Sequence, residues 1–171
     1  MAIAVMAFQI DQTNSLVEFT NLKCIPIDKE FAGFEYCQIK AINRTYKYIS
    51  LKVNLFKKPV TKISVNISAL KRLNGYKPFL YNITFDACKF LASKNKNSVI
   101  NYFYNLISSH SNMNHTCPYN DDLILEKLTT EFLNYQLVTV LPVPEGQYAL
   151  FTSWYAYGIK RAEVQFYVKI S

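Results

Sequence analysis

The hydrophobic positions of this chain recur mostly every second residue. Over residues 46–55, Ile49, Leu51, Val53 and Leu55 alternate with Tyr48, Ser50, Lys52 and Asn54. A period of two puts one row of side chains on a buried face and the other in water, the mark of a half-buried β-strand. From Ile63 the pattern repeats, with Val65, Ile67 and Ala69 set against Ser64, Asn66 and Ser68. Leu73-Asn74-Gly75-Tyr76 then supplies a tight turn, where Asn-Gly tolerates the positive φ angles of a type I′ hairpin. The return strand sets Tyr81, Ile83 and Phe85 against Asn82, Thr84 and Asp86. Residues 16–22 and 37–42 read as further strands, and the last strand alternates cleanly from Ala162 to Ile170.

Two stretches break this rhythm. Between Ser98 and Ser109, the residues Val99, Tyr102, Phe103, Leu106 and Ile107 recur at helical spacing. Such a stripe is a core-packing face in most proteins and a lid over a cavity in the remainder. Residues 147–157 are apolar on both faces, as in a central or cavity-lining strand, and there alternation does not say which way Trp154 points. Residues 112–122 read as a loop. Many short strands with one helical interruption predict a single mainly β domain over residues 15–171, an antiparallel β-sandwich with a helical insertion near residues 98–109.

Composition supports a folded chain. Of 171 residues, 50% are hydrophobic and 18% charged, which excludes intrinsic disorder. The 13 Tyr and 12 Phe suit pleated, half-buried strands. The net charge of +7 raises nucleic acid as a partner. However, the lysines and arginines are spread along the chain, and the densest groups, Lys57-Lys58 and Lys94 with Lys96, fall in loops. Counterion release needs several charges on one face, so no nucleic-acid partner is expected. Attraction to anionic headgroups is a weaker alternative.

The compartment is read from other residues. Cys24, Cys37, Cys88 and Cys117 form an even set, which permits two disulfides in any of three connectivities. Asn43, Asn66, Asn82 and Asn114 each begin an Asn-x-Ser/Thr acceptor sequence without Pro. Roughly two would arise by chance in a chain this rich in Asn. Asn66 and Asn82 both fall on the polar rows of their strands, as a solvated glycan requires. The apolar start, MAIAVMAF, lacks a basic region and is short for a signal. Residues 1–12 read as a shortened signal segment, with a frayed terminus as the alternative. No stretch qualifies as a membrane helix.

A search for chemistry finds little. His110 and His115 are the only histidines, and His115 near Cys117 falls short of the roughly four ligands that zinc takes. No metal or cofactor is expected. No nucleophile elbow, Walker loop or dinucleotide fingerprint occurs. Asp121 and Asp122 are adjacent, so on a strand they would point to opposite faces. The reading is of a protein without catalytic residues, although a triad assembled from distant Ser, His and Asp is not excluded by sequence.

Several longer runs carry a resemblance. They are Phe19-Thr20-Asn21-Leu22-Lys23-Cys24, Asn43-Arg44-Thr45-Tyr46, Lys71 through Asn82, Asp86-Ala87-Cys88-Lys89-Phe90, Ser111-Asn112, Asn114-His115-Thr116-Cys117-Pro118-Tyr119, and Leu141-Pro142-Val143-Pro144-Glu145-Gly146. Together they resemble the insect secreted family catalogued as domain of unknown function ten-ninety-one, which includes the CheB-type chemosensory proteins. That family is in turn distantly similar to the ML lipid-recognition domains. The resemblance implies an immunoglobulin-like, ML-like sandwich whose two sheets splay to hold a lipid. It also implies a closed loop at Cys88–Cys117, although the segment between these cysteines is longer here and helical in pattern. Local pairing then suits Cys24–Cys37, where a short loop joins two strands.

Two functions follow from this reading. The first is a secreted, extracellular carrier or sensor module of chemosensory type, holding a lipid or other small hydrophobic ligand between its sheets. Its lining would be Leu51, Val53, Val65, Ile67, Ile83, Phe85, Phe151, Trp154, Phe166 and Val168, with Phe103, Leu106 and Ile107 closing one end. The second is an extracellular interaction protein with a filled core and no ligand, since close-packed sandwiches need the same residues. A continuous apolar void of roughly 300 Å³ or more discriminates in favour of the carrier. The ligand and any receptor are left open.

Overall fold

The computed structural model describes residues 16–44, 46–140 and 142–171; the shortened signal segment read at residues 1–12 lies outside them. Among the described residues, eight strands form two antiparallel sheets. In chain order they are β1 (Val17–Pro26), β2 (Ala32–Ala41), β3 (Lys47–Leu55), β4 (Ile63–Leu73), β5 (Gly75–Asp86), β6 (Leu123–Thr129), β7 (Gly146–Ala156) and β8 (Ile159–Ile170). The larger sheet has the order β1-β8-β7-β4-β5 and the smaller β2-β3-β6. The fold is thus a mainly β, antiparallel sandwich.

The alternating rows pack as the period of two requires. On β3, Ile49, Leu51 and Leu55 are buried; on β8, Ala162, Val164 and Ile170 are. Ile49, Leu51, Val164 and Ile170 join Phe19, Val65, Leu125 and Leu128 in the main core between the sheets. A smaller cluster gathers Phe31, Ala32, Leu55, Val60, Tyr119 and Ala156 at one end. Cys24 on β1 is bonded to Cys37 on β2, with Cα atoms 6.3 Å apart. The bond joins the edge strands of the two sheets.

Departures from simple alternation have local causes. The hairpin between β4 and β5 turns through Asn74, with Leu73 paired to Gly75. Gly75 takes φ +85°, but Asn74 does not take positive φ, so the expected type I′ geometry is not formed. Ser50, read as a wet position, is buried, and its hydroxyl accepts the Lys127 N–H at 3.0 Å. β6 was hidden in the sequence by a bulge at that same place. Leu128 pairs with Ile49 and Leu125 with Leu51, so Glu126 and Lys127 together face Ser50, with Lys127 at φ 48°. The extra residue spaces the buried leucines by three, which resembles a helical step rather than a strand.

Helical segments fill the connections after β5 and β6. Helix α1 (Ala87–Ala92) begins at Asp86, whose carboxylate accepts the Lys89 N–H. Helix α2 (Ser98–Asn105) begins at Asn97, whose side chain accepts from Val99 and Ile100. These caps satisfy amide groups that a helix start leaves unpaired. A 3₁₀ turn spans Ser108–His110, and α3 (Thr130–Asn134) runs into a π-helical stretch, Tyr135–Val140. Cys88 of α1 is bonded to Cys117, with Cα atoms 5.5 Å apart, tying α1 to the loop ahead of β6.

Candidate ligand-binding cavity

The inward rows of the two sheets do not meet completely. They enclose a cavity of about 300 Å³, lined almost wholly by aliphatic and aromatic side chains. Leu51 and Val53 border it from β3, Val65 and Ile67 from β4, Phe85 from β5, Trp154 from β7, and Phe166 and Val168 from β8. Phe103, Leu106 and Ile107, at the end of α2 and just beyond it, border it from the helical side. The same stripe therefore packs into the core and flanks the void at once, because Phe103 and Leu106 are both buried.

Two of the expected lining positions lie elsewhere. Phe151 lies on the opposite face of β7 from Leu150, Thr152 and Trp154, and it packs on Tyr167 with ring centroids 5.9 Å apart. A strand apolar on both faces gives no parity signal, and Phe151 belongs to an outer aromatic group with Tyr76 and Tyr167. Ile83 shares the inward row of β5 but is absorbed into core packing without bordering the cavity.

Several lining residues escape sequence reading. Leu125 and Leu128 come from the bulged β6, and Leu133 and Leu137 from α3 and the π-helical stretch after it. Phe79, Leu80 and Tyr81 together face Ala69 in a bulge of β5. Leu80 takes φ +61° there, and Phe79 and Tyr81 on either side of it both pack against the core. The long gap between the cysteines and the doublet Phe79-Leu80 were the available signals.

Several polar groups that border the cavity are committed to the protein. The Tyr104 hydroxyl donates to the Met113 carbonyl, that of Tyr119 lies within reach of the Met113 and His115 carbonyls, and that of Tyr148 donates to Pro144. The Trp154 indole N–H donates to the Thr152 hydroxyl at 2.9 Å, and that hydroxyl donates to the Val164 carbonyl. Burial pushes the Tyr119 and Tyr102 hydroxyls up to about 12, so both remain protonated donors at neutral pH. Arg161 stacks over Phe31 and pairs with Asp28, and that pairing holds the Asp28 carboxyl below its ordinary value.

The remaining chemistry-bearing residues are used structurally. Asp122 accepts the Leu55 N–H and pairs with Lys58, whose hydrogen bond lowers its pKa. His110 packs on Phe132 and His115 on Tyr119, each with ring centroids 4.6 Å apart. Among the described residues, no three His, Cys, Asp or Glu side chains gather as a metal site. No helix of the described residues is long and apolar enough to cross a membrane. Of the glycan acceptors, Asn43, Asn82 and Asn114 are exposed, while Asn66 is half-buried.

Comparison with known proteins gives two findings. The sequence pattern of the family described as "Protein of unknown function (DUF1091)" matches residues 65–150, about half of the chain. This is narrower than the span of the resembling runs, since those at Phe19–Cys24 and Asn43–Tyr46 fall outside it. No curated protein matches the sequence. Among solved structures, a Niemann-Pick type C2 protein from Japanese carpenter ant is similar at 13% identity and a TM-score of 0.30. That alignment covers 90% of this chain and 91% of the ant protein.

Proposed function

We propose that this chain, which belongs to the DUF1091 family, is an extracellular carrier that holds the apolar part of a small lipid-like ligand between its two sheets. The observation that carries the reading is the cavity of about 300 Å³. Interiors are normally packed to the density of organic crystals, with few voids larger than a water. An apolar void of this size lies at the lower edge of the range for small-molecule sites. A sandwich evolved only as a rigid interaction surface would gain stability by filling it, because unfilled apolar volume forfeits dispersion contacts. The interaction-protein reading is therefore the weaker of the two.

An extracellular setting rests on the two disulfides and the exposed acceptor asparagines, since disulfides persist in oxidising compartments. A chemosensory role, in which the ligand is an external apolar molecule handed to a receptor, extends the same reading through the resemblance to CheB-type proteins. The protein is read as a binding module rather than an enzyme, because the Tyr104, Tyr119 and Tyr148 hydroxyls and the Trp154 indole at the cavity are taken up by partners within the protein rather than converging on a reacting atom.

Trp154 provides the test. It is the only Trp in the chain and it borders the cavity. Titration with an apolar chain compound at micromolar concentration should give a saturable change in its fluorescence. An unchanged emission, together with no copurifying lipid by mass spectrometry from a secretory host, would refute the carrier reading.

A further inference from the structure

The inward row of β4 ends in a cation. Ile63, Val65, Ile67 and Ala69 border the cavity from alternate positions, and the next position in that row is Lys71. β4 keeps an unbroken register with β7 along this stretch, with Lys71 opposite Tyr148, while its pairing with β5 shifts between Ser68 and Leu70, and Leu70 borders the cavity as well. The Lys71 ammonium lies 5.5 Å from the ring centroids of both Phe79 and Tyr148, and both rings border the cavity. Among the described residues no carboxylate pairs with it. The cavity reaches solvent close by, because Leu80, next to Phe79, borders the cavity and is 76% exposed.

The interior contrasts with this rim. No buried side-chain nitrogen or oxygen among the described residues lacks a hydrogen-bond partner. A ligand headgroup drawn inside would lose its hydration and meet few polar groups in a lining that is almost wholly apolar, which is costly for a polar group and far more so for a charge. That cost favours a headgroup at the edge of the cavity, where the Lys71 ammonium lies against two aromatic rings.

We infer that the ligand is a single-chain anionic amphiphile of the long-chain carboxylate class, with its alkyl chain in the cavity and its carboxylate at Lys71. The inference rests on the carrier reading and adds to it the ligand's charge and the residue that selects it. A lysine placed only to cover apolar rings with its methylene stem would look similar in the structure, and binding measurements separate the two.

Dodecanoate and 1-dodecanol share one chain and differ in headgroup charge. Wild-type protein should bind dodecanoate more tightly. Lys71→Met should weaken dodecanoate about three- to tenfold while leaving dodecanol within about twofold, as expected for a partly exposed charge pair. Lys71→Arg should keep the preference. If Lys71→Met weakens both probes alike, or if wild type binds the two equally, the inference is overturned and the carrier reading stands. If neither probe binds wild type, the carrier reading fails and the inference with it. Should Lys71→Met fail to fold, salt decides on the wild type. Dodecanoate binding should weaken as ionic strength rises and dodecanol binding should not; equal salt response of the two would overturn the inference.

Discussion

At the scale of single residues, the two neighbouring acceptor asparagines are not equivalent. The Asn66 side-chain amide reaches three acceptors: the Asn82 side-chain oxygen and the Thr84 hydroxyl, each at 2.9 Å, and the Ile83 carbonyl at 3.3 Å. A sugar on that nitrogen would replace an N–H and crowd all three. Asn82 contributes only its oxygen to this arrangement and is exposed, so a glycan on its nitrogen leaves the bond from Asn66 intact. Glycopeptide mapping of protein from a secretory host should therefore find Asn82 occupied and Asn66 largely bare. Equal occupancy of the two would contradict this. The outward direction of both side chains was legible from strand alternation, whereas the competition was not, because it depends on β4 and β5 pairing Asn66 with Thr84.

At the scale of elements, the Cys24–Cys37 bond has a geometric task beyond cross-linking the chain. It joins edge strands of different sheets, so it limits how far the sheets can part beside the cavity. Removing it by Cys24→Ala with Cys37→Ala should cost about 3 kcal/mol by loop entropy. For a domain of this size, thermal unfolding should move down by roughly 5–10 °C. Calorimetry showing a change below about 2 °C would mean that the sheets hold their spacing without the bond. Elements also show where sequence reading lost its footing. The apolar rows of β3, β4 and β8 were legible, although Ser50 on the polar row of β3 is buried too. β6 was not, because a single bulge at Lys127 converts a strand's spacing into a helix-like one.

At the scale of the whole molecule, the void itself predicts how the protein responds to being enlarged. Phe85 is half-buried, borders the cavity and packs edge-on against Phe90 with centroids 5.8 Å apart. Phe→Ala in a close-packed core costs about 3–5 kcal/mol. A ring that faces a void on one side makes fewer contacts to lose, so Phe85→Ala should cost about 2–3 kcal/mol in chemical denaturation. The widened cavity should then favour bulkier hydrocarbon chains over slim ones. A cost well above that range with no change in chain preference would mean that Phe85 sits in a filled core.

The sequence by itself determined the class of structure and the facing of most strands. Period-two alternation follows from backbone pleat alone and needs no partner, which is why Ile49, Val65, Phe85 and Val168 could be assigned to an interior from the chain in isolation. What alternation leaves open is how far apart the two interiors stand. Sheet separation is set by contacts between residues distant in sequence: the β1–β2 disulfide, and the side chains of α2, α3 and the π-helical stretch that border the space between the sheets. Tertiary structure alone therefore decided that a cavity exists, that Trp154 faces it while Phe151 faces away, and that the Lys71 ammonium comes to lie against two of the rings that border it.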